Sequence, residues 1–162
     1  KIGDYYVVNY DIPALLHRNN RNTDIAVMIF RVIMPYEEFQ EIVELMRKSL
    51  TDIGMIGPNK PPSRVFHYSK GPFEQVLDGI GYLYQSENVI MPLKNLSFPS
   101  YLIRRGVKPK EILGLVKNYI IRYRDRKGEI RENSLFSYTE RESYADAHKK
   151  LSSVVAQVFN YS

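Results

Sequence analysis

The 162-residue chain has no cysteine, no tryptophan and only three histidines. Without thiols it holds no disulfide, no iron–sulfur cluster and no cysteine-based zinc site. The histidines at 17, 67 and 148 lie too far apart in sequence for a metal-ligand spacing. Long apolar runs are missing as well. The longest uncharged one, Ile25 to Phe30, falls far short of the roughly 20 residues a spanning helix needs, so no membrane span is expected. No stretch has the layout of a secretory leader, and a cytoplasmic protein is the expectation. Gly79-Ile80-Gly81 lacks the third glycine and the following Lys-Ser/Thr of a phosphate loop. There is no nucleophile-elbow motif of a hydrolase, and no His-x-His pair of a rolling-circle tyrosine nuclease.

What is present is an ordinary globular composition, 44% apolar and 25% charged, which excludes bulk disorder and collagen-like repeats. A chain of this length buries about 68–70% of its unfolded surface as one domain, so no staple is required. A single domain over residues 1–162 is expected, with no cofactor required.

The formal charge of +5 is unevenly placed. Residues 1–100 carry ten Lys/Arg against eleven Asp/Glu, and residues 101–162 carry thirteen against seven. Within the second part, residues 104–127 hold nine basic side chains and two acids, a local net of +7. Such asymmetry bears on partners and association rates, not on fold.

Residues 5–10 (Tyr-Tyr-Val-Val-Asn-Tyr) read as a strand, and the almost wholly apolar run from Asp24 to Met34 as a second, central one. Pro35 then opens a helix with Glu37, Glu38 and Glu41 in its early turns and Gly54 beyond its end. Its inward stripe is Phe39, Ile42, Val43, Met46, Leu50 and Ile53, and Glu44 with Lys48 forms an i, i+4 pair. The proline-rich run 57–62 is irregular, and Arg64–Tyr68 reads as a short strand. A helix from Pro72 turns Phe73, Val76, Leu77 and Ile80 inward, weakened by Gly79 and Gly81. Asn88–Leu93 reads as a strand. The basic helical segment spans 99–127: a short helix from Pro99 to Gly106, then one from Pro109 ended by Gly128, with Ile112, Val116, Tyr119, Ile120 and Tyr123 as its buried stripe. Glu129–Tyr138 reads as a hairpin arm. A capping box at Thr139-Glu140-Arg141-Glu142 starts an amphipathic helix over 139–159, with Tyr144, Ala147, Leu151, Val154 and Val158 at heptad-like spacing. The expected architecture is α+β: a mainly antiparallel sheet of four to five strands packed by about five helices. The terminal helix would serve either as a homodimer seam or as packing on the chain's own sheet.

The basic segment with interleaved tyrosines is the composition of a nucleic-acid site, where cations meet phosphates and rings stack on bases. Arg104, Arg105, Lys108, Lys117, Arg122, Arg124, Arg126 and Lys127 are the candidate phosphate contacts, and Tyr101 is the stacking candidate. The polar loop 17–23 adds Arg18 and Arg21. The alternative is a metal-dependent nuclease or nucleotidyl-transfer enzyme, with Asp11, Asp24 and Glu87 at strand ends gathering Mg²⁺ or Mn²⁺. A third reading is a structural or assembly protein whose basic region binds protein or packages nucleic acid. Val7-Val8-Asn9-Tyr10-Asp11-Ile12-Pro13 resembles the first strand of the small ferredoxin-like CRISPR-associated nuclease subunits, in which an acid ends that strand. In that family a helix follows at once, whereas here a polar loop comes next, and no residue role is transferred.

Overall fold

The computed structural model describes residues 26–158. Backbone contacts divide the chain into two compact units, Lys1–Tyr68 and Ser69–Ser162.

In the first unit, helix α1 spans Tyr36–Asp52. It begins after Pro35, carries Glu37 and Glu38 in its first turn and buries Val43. Phe39, Ile42, Met46 and Leu50 are half-buried along the same stripe, but Ile53 lies past the helix end and is 69% exposed. Glu44 pairs with Arg47 at 2.9 Å, one residue nearer than the anticipated Lys48. Gly57 and Lys60 exchange two backbone hydrogen bonds across the proline-rich turn. The expected strand at 64–68 is instead a single helical turn, α2 (Pro62–Val65), followed by extended backbone. Pro62 in its first turn accounts for this, because a proline costs nothing where the N–H would be unsatisfied anyway. Residues 26–33 are likewise no strand: they have no regular structure and are exposed, Ile33 to 91%. An apolar run becomes a strand only when a partner completes its ladder, and none of the described residues supplies one. The anticipated strand at 5–10 lies outside the described residues.

The second unit holds helix α3 (Pro72–Tyr82), the hairpin β1 (Tyr84–Ser86) and β2 (Val89–Ile90), a 3-10 turn at Leu93–Asn95, and helices α4 (Ser97–Ile103) and α5 (Pro109–Lys117). Strands β3 (Ile120–Arg124) and β4 (Ile130–Ser134), helices α6 (Leu135–Tyr138) and α7 (Tyr144–Leu151), and β5 (Val154–Gln157) complete it. The fold is α+β, and the described residues form two small antiparallel sheets in place of one larger sheet: β1–β2, and β4–β3–β5 with β3 central.

The core gathers Phe73 and Val76 from α3, Phe98 and Leu102 from α4, Ile112 and Val116 from α5, Ile121, Leu135 and Ala147. Leu77 points outward at 41% exposure, contrary to the expected stripe. Gly79 does not break α3, since it is where the helix meets Leu96: a Cβ there would come within 2.8 Å of the leucine methyl. Gly71 is pressed against Thr139 in the same way, with a Cβ falling 2.6 Å from the carbonyl oxygen.

Two expected helices are shorter than their periodicity suggested. The helix from Pro109 stops at Lys117, and Ile120–Arg124 is a strand whose register pairs Ile121 with Asn133 and Gln157. The terminal helix is not continuous over 139–159. Thr139 sits at the C-terminus of α6, its hydroxyl donating to Leu135 O at 2.8 Å, while Ser143 caps α7 by accepting from Asp146 N at 3.1 Å. Glu142 pairs with Lys150 at 2.5 Å rather than closing a capping box. Because Val154 lies in β5, the heptad-like series is not one helical seam.

Candidate nucleic-acid interface

The cations of residues 104–127 lie just past α4, along the start and end of α5, on β3 and in the turn that follows it. Arg104 and Arg105 leave the end of α4, and Lys108 and Lys110 flank the start of α5 across Gly106-Val107. All four are exposed. Lys117 is in the last turn of α5, where a positive charge complements the carbonyl end of the helix dipole. On β3 the alternation is of period two: Ile121 is buried and Tyr123 half-buried, while Arg122 and Arg124 are exposed. The basic surface is therefore part helix and part strand, not one helical face.

The β3–β4 hairpin has Arg126 and Lys127 at its tip. Asp125 Oδ1 accepts from the backbone N–H of both Lys127 and Glu129 at 2.9 Å, and Gly128 takes the left-handed conformation with φ +83°. This is a three-residue loop with a type I turn and a glycine bulge. Partial burial pushes the Asp125 carboxyl up. The Arg131 guanidinium and the N–H groups of Glu129 and Lys127 outweigh that and hold it below the usual carboxylate range. Arg131 is spent on this turn, bonding Asp125 at 3.1 Å and also Glu129.

The other cations of the segment are differently placed. Arg122 faces Glu132 across the ladder and pairs with it at 3.2 Å. Arg104, Arg105, Lys108, Lys110, Lys117, Arg124, Arg126 and Lys127 form no ion pair with any described residue. Arg124 donates instead to the Gly128 carbonyl at 2.8 Å, and Arg104 to the Ser100 hydroxyl at 2.7 Å.

Tyr101 is half-buried in an aromatic cluster with Phe98, Tyr144 and His148. One face of its ring carries the Arg105 guanidinium, 3.5 Å from the ring centre. Tyr119 stacks on Phe136 at 4.8 Å and Tyr123 on Tyr138 at 4.0 Å, so both belong to the packing. Tyr144 donates to Gln75 Oε1 at 2.9 Å. Burial raises its pKa against an opposing hydrogen bond from Ser97, so it stays a neutral phenol.

Of the candidate carboxylates, Glu87 lies in the exposed turn between β1 and β2. Asp11 and Asp24 lie outside the described residues, as do Arg18 and Arg21. Among the described residues no group of three or more His, Asp or Glu side chains is placed to hold a metal ion. None of the described helices is long and apolar enough to cross a membrane. The charge pattern does not single out Ser97 and Ser100, which share an open cleft with Lys94, Tyr101 and Arg104. The signal was available: 97, 100, 101 and 104 follow the i, i+3, i+4, i+7 rule as a polar stripe opposite Phe98 and Leu102. Comparison with protein-family models, with curated proteins and with solved structures finds no match to the chain.

Proposed function

We propose that the protein binds nucleic acid through its phosphate backbone, using the cations of residues 104–127. The observation that carries this reading is the pairing pattern. Eight of the nine basic residues in the segment have no carboxylate partner among the described residues, whereas Arg122, Arg131 and Lys150 do. Unpaired cations set on a helix junction, a strand face and a hairpin tip suit a polyanion whose phosphates release counterions on contact. The Arg105–Tyr101 cation–π pair places a guanidinium and an aromatic ring beside them, groups on which an unpaired base can stack.

Fluorescence anisotropy with labelled single-stranded RNA, single-stranded DNA and duplex DNA tests the proposal. Binding is expected at low salt, and it weakens when Arg124, Arg126 and Lys127 are replaced by glutamine. Absence of binding to all three polymers at low ionic strength overturns it.

A further inference from the structure

The polar stripe of α4 borders an open cleft of about 380 Å³. Lys94 and Asn95 come from the 3-10 turn before α4, Ser97 and Ser100 from the helix itself, Arg104 from the residue that ends it, and Tyr144 from α7. The lining contains two cations and several hydroxyl or amide groups, and no carboxylate. Arg104 is already oriented, since its Nη1 donates to Ser100 Oγ at 2.7 Å. Tyr144 is fixed by Gln75 and Ser97 and remains a neutral phenol, so it brings no repelling charge. Neither Lys94 nor Arg104 forms an ion pair with another described residue. Such a set offers charge-assisted donors in several directions and nothing to oppose an anion, which is the chemistry that holds a tetrahedral oxyanion.

We infer that this cleft binds one phosphoryl group, held between Lys94 and Arg104 with Ser100 and Asn95 as neutral partners. Two sources carry the same chemistry: a phosphate of a nucleic-acid chain, or a free phosphate. The first rests on the function proposed above; the second stands without it.

The test uses the full chain and two variants, Lys94→Gln/Arg104→Gln and Ser100→Ala. Both charged residues are exposed, and thermal unfolding confirms that the variants are folded. Inorganic phosphate is titrated against the ¹⁵N-labelled protein, with sodium chloride at matched ionic strength as control. The expected result is saturable shifts centred on residues 94–104 and 144, lost in the double variant and reduced in Ser100→Ala. The same proteins are then titrated with a single-stranded oligonucleotide. If the polymer is the source, the double variant binds about tenfold more weakly. An unchanged oligonucleotide affinity together with the phosphate shifts assigns the cleft to free phosphate. No oligonucleotide binding by the parent, with the phosphate shifts intact, removes the nucleic-acid proposal and leaves the cleft standing. Phosphate shifts no different from those of chloride overturn the inference, whatever the oligonucleotide does.

Discussion

The guanidinium carbon of Arg105 lies over Tyr101, 3.5 Å from the centre of a ring that also packs against Phe98 and Tyr144. The pair joins the hydrophobic core to the charged surface. A partly sequestered ring orients an arginine that the charge pattern alone would leave as a mobile surface cation. Cation–π contacts at exposed sites contribute about 0.5–1 kcal/mol. A double-mutant cycle on Arg105→Gln and Tyr101→Leu, read by denaturant unfolding, is expected to return a coupling of about that size.

Gly71 is required by close approach and not by its dihedral angles. A methyl at this position meets the Thr139 carbonyl oxygen at 2.6 Å and the Glu140 Cα at 3.0 Å. Gly71→Ala is expected to destabilise by about 1–3 kcal/mol, as overpacking does. Gly114 lies inside α5 with nothing within 4 Å of the same added atom. There, alanine restricts the unfolded chain without a clash, and Gly114→Ala is expected to stabilise by about 0.5–1 kcal/mol. Urea titration of the two variants checks both signs.

Gln157 ties the edge strand to the helix. Its amide donates to Gly114 O at 3.0 Å, which also accepts the Asn118 N–H, and to Asn118 O at 2.8 Å, the carbonyl of the residue just past the end of α5. Gln157→Ala removes both bonds and is expected to cost about 1–2 kcal/mol. Faster amide exchange localised to the end of α5 and to β5 distinguishes this from a general loss of stability.

The hairpin turn makes stability depend on acid. The Asp125 carboxyl lies below the usual range in the folded protein, so its contribution is fully present above the unfolded-state value of about 3.9. It is lost as pH falls through the lower folded value. Asn keeps an acceptor for the Lys127 and Glu129 N–H groups but loses the charge opposite Arg131. Asp125→Asn is therefore expected to melt below the parent at neutral pH, and the gap is expected to close in strong acid. A melting series from pH 7 down to pH 2 measures it.

The helices that open on proline were legible in the sequence: α3 and α5 begin at Pro72 and Pro109, and α1 follows Pro35. In each, the proline, an early acid and a 3.6-residue stripe agree. The switch at Asn118 was not legible by periodicity, because Val116, Tyr119, Ile120 and Tyr123 fit a helical stripe while Ile121 and Tyr123 fit a strand equally well. What decides is non-local: β4 and β5 flank β3 on both sides, and a helix would forgo both ladders. The local clue was the turn itself, Asp125-Arg126-Lys127-Gly128, which a helix ending at Gly128 absorbs as its last turn. At the C-terminus, Thr139-x-x-Glu142 and Ser143-x-x-Asp146 are rival caps four residues apart. Tertiary packing chose the second by burying Thr139 and committing Glu142 to Lys150. In the candidate interface the sequence showed which residues are charged. Which of them are already paired depended on strand register, and that is why Arg122 stands apart from Arg124, Arg126 and Lys127.

That distinction gives the central claim its most direct test: the salt dependence of oligonucleotide affinity for the parent, Arg122→Gln and Arg126→Gln. Each phosphate neutralised contributes about −0.7 to −0.9 to the slope of log affinity against log salt concentration. The account predicts a steep slope for the parent, made shallower by about that increment in Arg126→Gln and left nearly unchanged in Arg122→Gln, whose charge is already met by Glu132. An affinity that does not vary with salt, or equal effects of the two substitutions, would contradict it.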